Sequence, residues 1–147
     1  MQVVQATSSD LSAVAELFDA YRQFYNQPAN LSAARDFIAQ RLDARDSVIF
    51  VVQHDSKLLG FAQLYPSFSS VAMKRMWYLN DLFVSSAARR QGVAGLLLTH
   101  IRHYAKETQA LTVKLATAVD NEQAKALYES HGYVKVTAFD HYTQRVE

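Results

Sequence analysis

The chain has 147 residues, the size of one domain, and its 50% hydrophobic content is enough to fill one core. Fifteen basic against fourteen acidic residues leave a net charge of +1, without the basic excess of a nucleic-acid binder. There is no cysteine, which removes disulfides, thiolate nucleophiles and thiolate metal sites. No run approaches the ~18 apolar residues of a membrane span, and MQVVQATSSD does not read as a secretory leader, so the expected location is cytoplasmic.

Leu11, Val14, Phe18, Tyr21 and Tyr25 recur at helical spacing and predict a first helix from Asp10 to about Tyr25, with Ser8 or Ser9 as N-cap. Pro28 and Asn30 interrupt the pattern. Leu31, Ala34, Ile38 and Leu42 restore it in a second helix. SVIFVVQ (47–53) and LLGFAQLYP (58–66) then read as an antiparallel hairpin closed by HDSK, the second strand stopping at Pro66. A serine-rich loop, residues 67–72, leads past Lys74 and Arg75 to WYLNDLFV (77–84), which is apolar except for Asn80 and Asp81. Such a run fits a strand covered on both faces.

SSAARRQG opens a third helix, with Ala94, Leu97, Leu98, Ile101, Tyr104 and Ala105 on its inner face. LTVKLAT (111–117) alternates like another strand. Asp120 or Asn121 caps a fourth helix presenting Ala124, Leu127, Tyr128 and His131, with Gly132 in the position just past its end. YVKVTAF and the HYTQRV tail are expected to finish the sheet. The unit from Trp77 to Thr117 should be a crossover between parallel strands. No linker or repeat interrupts residues 1–147, which read as a single domain.

Glycine is scarce, yet Gly92 and Gly95 both lie at the start of the third helix, beside Arg89 and Arg90. A helix start offers free N–H groups and partial positive charge, and small residues there let an anion approach closely. The pattern is neither a P-loop nor the G-x-G-x-x-G dinucleotide turn. Arg89, Arg90, Gln91, Gly92, Val93 and Ala94 stand as R-x-x-G-x-A directly after NDLFV, and this resembles the signature of the GNAT superfamily of N-acetyltransferases. NEQAKALYESHGY (121–133) resembles that family's second motif, and the order of elements agrees over nearly the whole chain.

The resemblance implies an α/β fold of mixed α+β character: a mostly antiparallel sheet of six to seven strands with a central parallel pair, flanked by about four helices. It implies acetyl-CoA as co-substrate, with Arg90, Gln91, Gly92, Val93, Ala94 and Gly95 holding its diphosphate and Arg89 adding charge nearby. Leu82, Phe83 and Val84 would pair with the pantetheine arm through their backbone, and Asn121 would contact the same arm. Tyr128 occupies the position of the acid that protonates the departing thiolate. Related diamine and polyamine enzymes have a Glu-Asp pair where this chain has Asn80 and Asp81. Because an asparagine accepts no proton at neutral pH, the base becomes Asp81, or a water held by Asn80 and backbone carbonyls.

His100 and His103 lie on the polar side of the third helix without a third ligand, so no metal is expected. Tyr21, Phe24 and Tyr25 fall where the family builds its acceptor pocket. Asp19, Asp36 and Asp81 would suit a polyamine, Lys74 and Arg75 an amine that carries a carboxylate. The expected acceptor is a small primary amine. A protein N-terminus or lysine is the alternative, and a non-catalytic acyl-CoA sensor the other. Phe139 and Tyr142 on the final hairpin would complete a homodimer; neither membrane nor nucleic acid is an expected partner.

Overall fold

In the computed structural model, which describes residues 1–147, five strands form one sheet. These are β1 (Gln2–Gln5), β2 (Val48–His54), β3 (Lys57–Ser69), β4 (Lys74–Val84) and β5 (Thr112–Lys114), hydrogen-bonded in that order. The first three pairings are antiparallel and β4–β5 is parallel. The parallel pair therefore lies at one edge of a five-stranded sheet, where the sequence suggested a central pair among six or seven strands. The chain divides into two compact units, Met1–Ala116, which holds the whole sheet, and Thr117–Glu147.

Helices α1 (Leu11–Phe24) and α2 (Leu31–Ala44) cover one face of the sheet, and α3 (Val93–Glu107) covers the other. Val14, Leu17 and Phe18 of α1 and Ala34 and Ile38 of α2 pack with Ile49, Val51, Phe61 and Phe83. Each large apolar side chain so buried contributes about 1.5–3 kcal/mol. On the opposite face, Tyr104 of α3 meets Phe50 at 5.1 Å and Trp77 at 5.4 Å between ring centroids. The expected stripe of α1 is present, but its entry differs: Ser8–Asp10 is a 3-10 turn, and Asp10 accepts from the Thr7 N–H at 2.9 Å instead of a serine capping the helix. Asp19, only 6% exposed, fastens α1 to α2 by accepting from the Asn30 N–H at 3.0 Å and pairing with Arg22 at 3.2 Å. Asn30 in turn caps α2.

Several boundaries differ from the sequence reading. β3 does not stop at Pro66 but runs through it, opposite Trp77. Pairing with β2 ends at Leu64, so Pro66 lies where β3 has a neighbour on one side only, a setting that tolerates a missing N–H. Lys74 and Arg75 consequently open β4 and do not lie in a loop. β1 went unread because QVVQ is too short for a period to show.

The second unit contains α4 (Glu122–Ser130) and a C-terminal segment without strands. YVKVTAF alternates as a strand does, yet Val134, Val136 and Phe139 are all exposed. Alternation drives pairing only where one face is buried along its length, and here only Tyr133, at the start, is partly buried.

Candidate active site

β4 contains one residue more than β3 can match. Gln63 pairs with Asp81 and Leu64 with Leu79, so Asn80 is left unpaired as a β-bulge. The extra residue reverses the strand's facing. Before it, Trp77 packs on α3; after it, Phe83 packs on α1, with ring centroids 6.0 Å from Tyr21 and 6.3 Å from Phe24. The continuous apolar run in the sequence is thus a strand that changes which face it buries, and it is not covered on both faces throughout: Asn80 itself is exposed.

Beside the bulge lies a buried carboxylate. Asp81 is 4% exposed and accepts from Gln63 Nε2 at 2.7 Å and from Asn80 Nδ2 at 3.0 Å. Gln63, fully buried, accepts in turn from the Ser47 hydroxyl at 2.8 Å. A buried charge is costly without partners, and N–H donors on both oxygens offset that cost. The neighbouring Tyr65 feels this site: its phenol is pushed up to about 12, first by burial and then by the Asp81 charge. From α1, the Tyr21 hydroxyl donates to the Asn80 carbonyl at 3.3 Å.

Beyond the bulge, Leu82, Phe83 and Val84 lead to the start of α3. Gly60 is opposite Val84, and a Cβ there would lie 2.8 Å from the Phe83 carbonyl oxygen and 3.1 Å from Val93 Cγ1. Only glycine lets β3, β4 and the first residue of α3 come this close. Arg89 donates from Nε to the Val84 carbonyl at 3.3 Å, its guanidinium 5.6 Å from the Phe24 ring centre and 5.7 Å from that of Phe83.

The helix start itself is built for approach from outside. Arg90 and Gly92 both take left-handed backbone, at φ 63° and 80°, which turns the chain sharply into α3. Asn30 and Asn121 cap α2 and α4 with their side chains, whereas Gly92 at the head of α3 has no side chain to do so. The first-turn N–H groups, including those of Val93, Ala94 and Gly95, have no partner within the helix, and they gather the positive end of its dipole. Val93, 2% exposed, is the residue that turns inward, and Ala94, expected on the inner face, is less buried. That arrangement leaves the small residues Ala94 and Gly95 partly exposed.

Two of the expected site residues belong to the second unit. The Asn121 side-chain oxygen accepts from the Ala124 N–H at 3.2 Å and so caps α4. Gly132, at φ 87°, ends the same helix in the expected position. The Tyr128 ring packs edge-on against Tyr133 at 5.8 Å, and the Tyr133 phenol is pushed up to about 12, first by burial and then by Tyr128.

Other candidates have structural work. Asp19 is engaged between α1 and α2, and Arg75 lies over the rings of Phe68 and Trp77, five residues before the bulge. His100 packs edge-on against Phe50 at 4.7 Å, so it is not simply solvated as the sequence suggested. Sequence reasoning missed Gln63 and Gly60. Each left a trace in LLGFAQLYP: a lone amide in an apolar run, and an isolated glycine inside a strand.

The model of the acetyltransferase (GNAT) family matches residues 14–133. An uncharacterized N-acetyltransferase of Bacillus subtilis (strain 168), YhfO, is 44% identical over 146 residues, covering 99% of this chain and 98% of that protein. A probable acetyltransferase of Haemophilus influenzae is 29% identical over 136 residues, 90% of each chain. The crystal structure of a probable acetyltransferase superposes with a TM-score of 0.96 at 44% identity, covering 100% of this chain and 99% of the other. The family model and these relatives agree: the chain belongs to the GNAT family of acetyltransferases, which use acetyl-CoA as co-substrate.

Proposed function

We propose that the protein moves the acetyl group of acetyl-CoA to the primary amine of a small molecule, by direct attack in a ternary complex. The observation that carries this reading is the start of α3, whose N-cap Gly92 has no side chain, on the connection that follows a bulged β4. Arg90, Gln91, Gly92, Val93, Ala94 and Gly95 hold the diphosphate through backbone N–H groups and the Arg90 charge. Leu82, Phe83 and Val84 offer backbone groups to the pantetheine arm, with Asn121 contacting the same arm. Arg89 braces the end of this strand through the Val84 carbonyl and adds positive charge beside the phosphates.

An alkylammonium, with a pKa near ~10, must lose a proton before its nitrogen can attack the thioester carbonyl. Asp81 supplies the negative charge that draws this proton; being buried, it acts through water at the exposed Asn80 and its carbonyl. As the carbon–sulfur bond breaks, Tyr128 donates its phenolic proton to the thiolate, a role supported by its place in the second motif on α4. Tyr21, Phe24 and Tyr25, which form a chain of ring contacts to Phe83, provide the wall of the acceptor site.

A free-thiol assay with acetyl-CoA and pooled primary amines tests the activity; thiol release that depends on a small amine supports it, and release only with peptides transfers the reading to a protein acceptor. An unchanged pH–rate profile in Asp81→Asn would remove Asp81 from the proton path. We also propose a homodimer, supported by the exposure of Phe139 (71%) and Tyr142 (90%), and light scattering that returns the mass of one chain would refute it.

A further inference from the structure

We propose that Gln63 is a positioning residue for acetyl transfer, holding the Asp81 carboxylate and, through it, the Asn80 side chain in the geometry that receives the acceptor amine. The proposal rests on the acetyltransferase reading above and adds to it a residue of another strand. Gln63 is fully buried, and both ends of its amide are used. Its oxygen accepts from Ser47 on the lead-in to β2, and its nitrogen donates to Asp81 on β4.

The placement is specific to the bulge. Gln63 and Asp81 are register partners, and the ladder slips between Gln63 and Leu64. At that slip the backbone no longer fixes Asn80, and side-chain bonds take over. Asp81 Oδ1 holds the Asn80 amide at 3.0 Å while Oδ2 is held by Gln63 at 2.7 Å. With both oxygens fixed, the carboxylate cannot rotate, and Asn80 keeps its carbonyl toward the Tyr21 hydroxyl. Removal of the Gln63 amide would free one carboxylate oxygen and let the bulge relax.

A glutamine is suited to this task because its two ends differ. The oxygen must accept and the nitrogen must donate, which fixes the direction of the chain from Ser47 to Asp81. A carboxylate of the same size reverses the polarity at the Asp81 end. Two carboxylates in contact repel when both are charged, so as the pH falls such a pair takes up a proton more readily than either alone and can then restore one donor. Tyr65 on β3 is a titratable neighbour acted on by Asp81, and Arg41 of α2 and Asp46 act on the same phenol.

The test compares Gln63→Leu and Gln63→Glu with the wild type by steady-state kinetics from about pH 5 to pH 9, with urea unfolding alongside. Gln63→Leu is expected to lower kcat at least ~10-fold at every pH while the KM for acetyl-CoA stays within about twofold. Gln63→Glu should lose as much near neutral pH and, measured against the wild type at the same pH, recover several-fold toward pH 5, where the shared proton lets the new side chain donate to Asp81. Equal losses in both variants across the whole range, following their stabilities, would overturn the proposal. A second readout needs no turnover. In NMR spectra the Asn80 side-chain amide protons should be protected from exchange in the wild type and lose protection in Gln63→Leu; unaltered protection would also overturn it. If the wild type releases no thiol with any amine, the activity reading fails on that result alone, and the Asn80 protons still decide whether Gln63 holds this geometry.

Discussion

The Tyr21 hydroxyl donates to the Asn80 carbonyl at 3.3 Å, so α1 is joined to the one residue of β4 that β3 leaves unpaired. Tyr21→Phe keeps the ring in its contacts with Tyr25, Phe61 and Phe83 and removes this donor. The expected cost in stability is about 0.5–1.5 kcal/mol, read by urea unfolding. The acceptor KM should rise several-fold while the affinity for acetyl-CoA, read by calorimetry, is unchanged.

Gly60→Ala probes the other end of the site. The added methyl would lie 2.8 Å from the Phe83 carbonyl oxygen, which is backbone and cannot swing away. Overpacking of this kind costs about 1–3 kcal/mol, and relief requires β3, β4 and Val93 to separate. The free energy of unfolding should fall by that amount, and acetyl-CoA should bind more weakly because the first turn of α3 is displaced.

These two glycine and tyrosine contacts also mark what the sequence conceals. Helical spacing revealed α1, α2 and α3, since each buries a stripe that recurs over several turns. R-x-x-G-x-A marked the start of α3 and, with it, the proposed coenzyme end, because a helix start that accepts an anion needs small residues at fixed positions. The bulge was hidden: WYLNDLFV reads as one unbroken strand, and only its register against β3 discloses that Asn80 is extra. Pairing is non-local, so the same blindness affected Pro66, which is permitted by the end of β2 at its side, and YVKVTAF, whose alternation finds no buried face. Asp81 was visible as an anomaly in an apolar run, but its partner Gln63 lies 18 residues away and became legible only when the strands were aligned.

Two phenols should titrate late. Tyr65 and Tyr133 are both pushed from the ordinary value of 10.0 to about 12, chiefly by burial. Each is more easily ionised in the unfolded chain, so the stability it contributes is complete below pH 10 and is lost as the pH rises from 10 toward 12. Ultraviolet titration should show a late-ionising class, and Tyr65→Phe should remove one member from it and flatten the loss of stability over that range.

Tyr128→Phe tests the proton donor. If its phenol protonates the thiolate, kcat should fall about 10²-fold with little change in acetyl-CoA affinity, the usual scale for a lost general acid. Retention of full kcat in this variant would assign the proton to another group.

The most direct measurement is a calorimetric titration of acetyl-CoA into the wild type and into Ala94→Asp. An acidic residue in the first turn suits the helix dipole and should preserve the fold, but it sets a negative charge where the diphosphate must lie. The account predicts binding to the wild type and at least a tenfold weaker affinity in the variant, at an unchanged melting temperature. Equal affinities, or no binding to the wild type, would contradict the assignment of the α3 start as the coenzyme site.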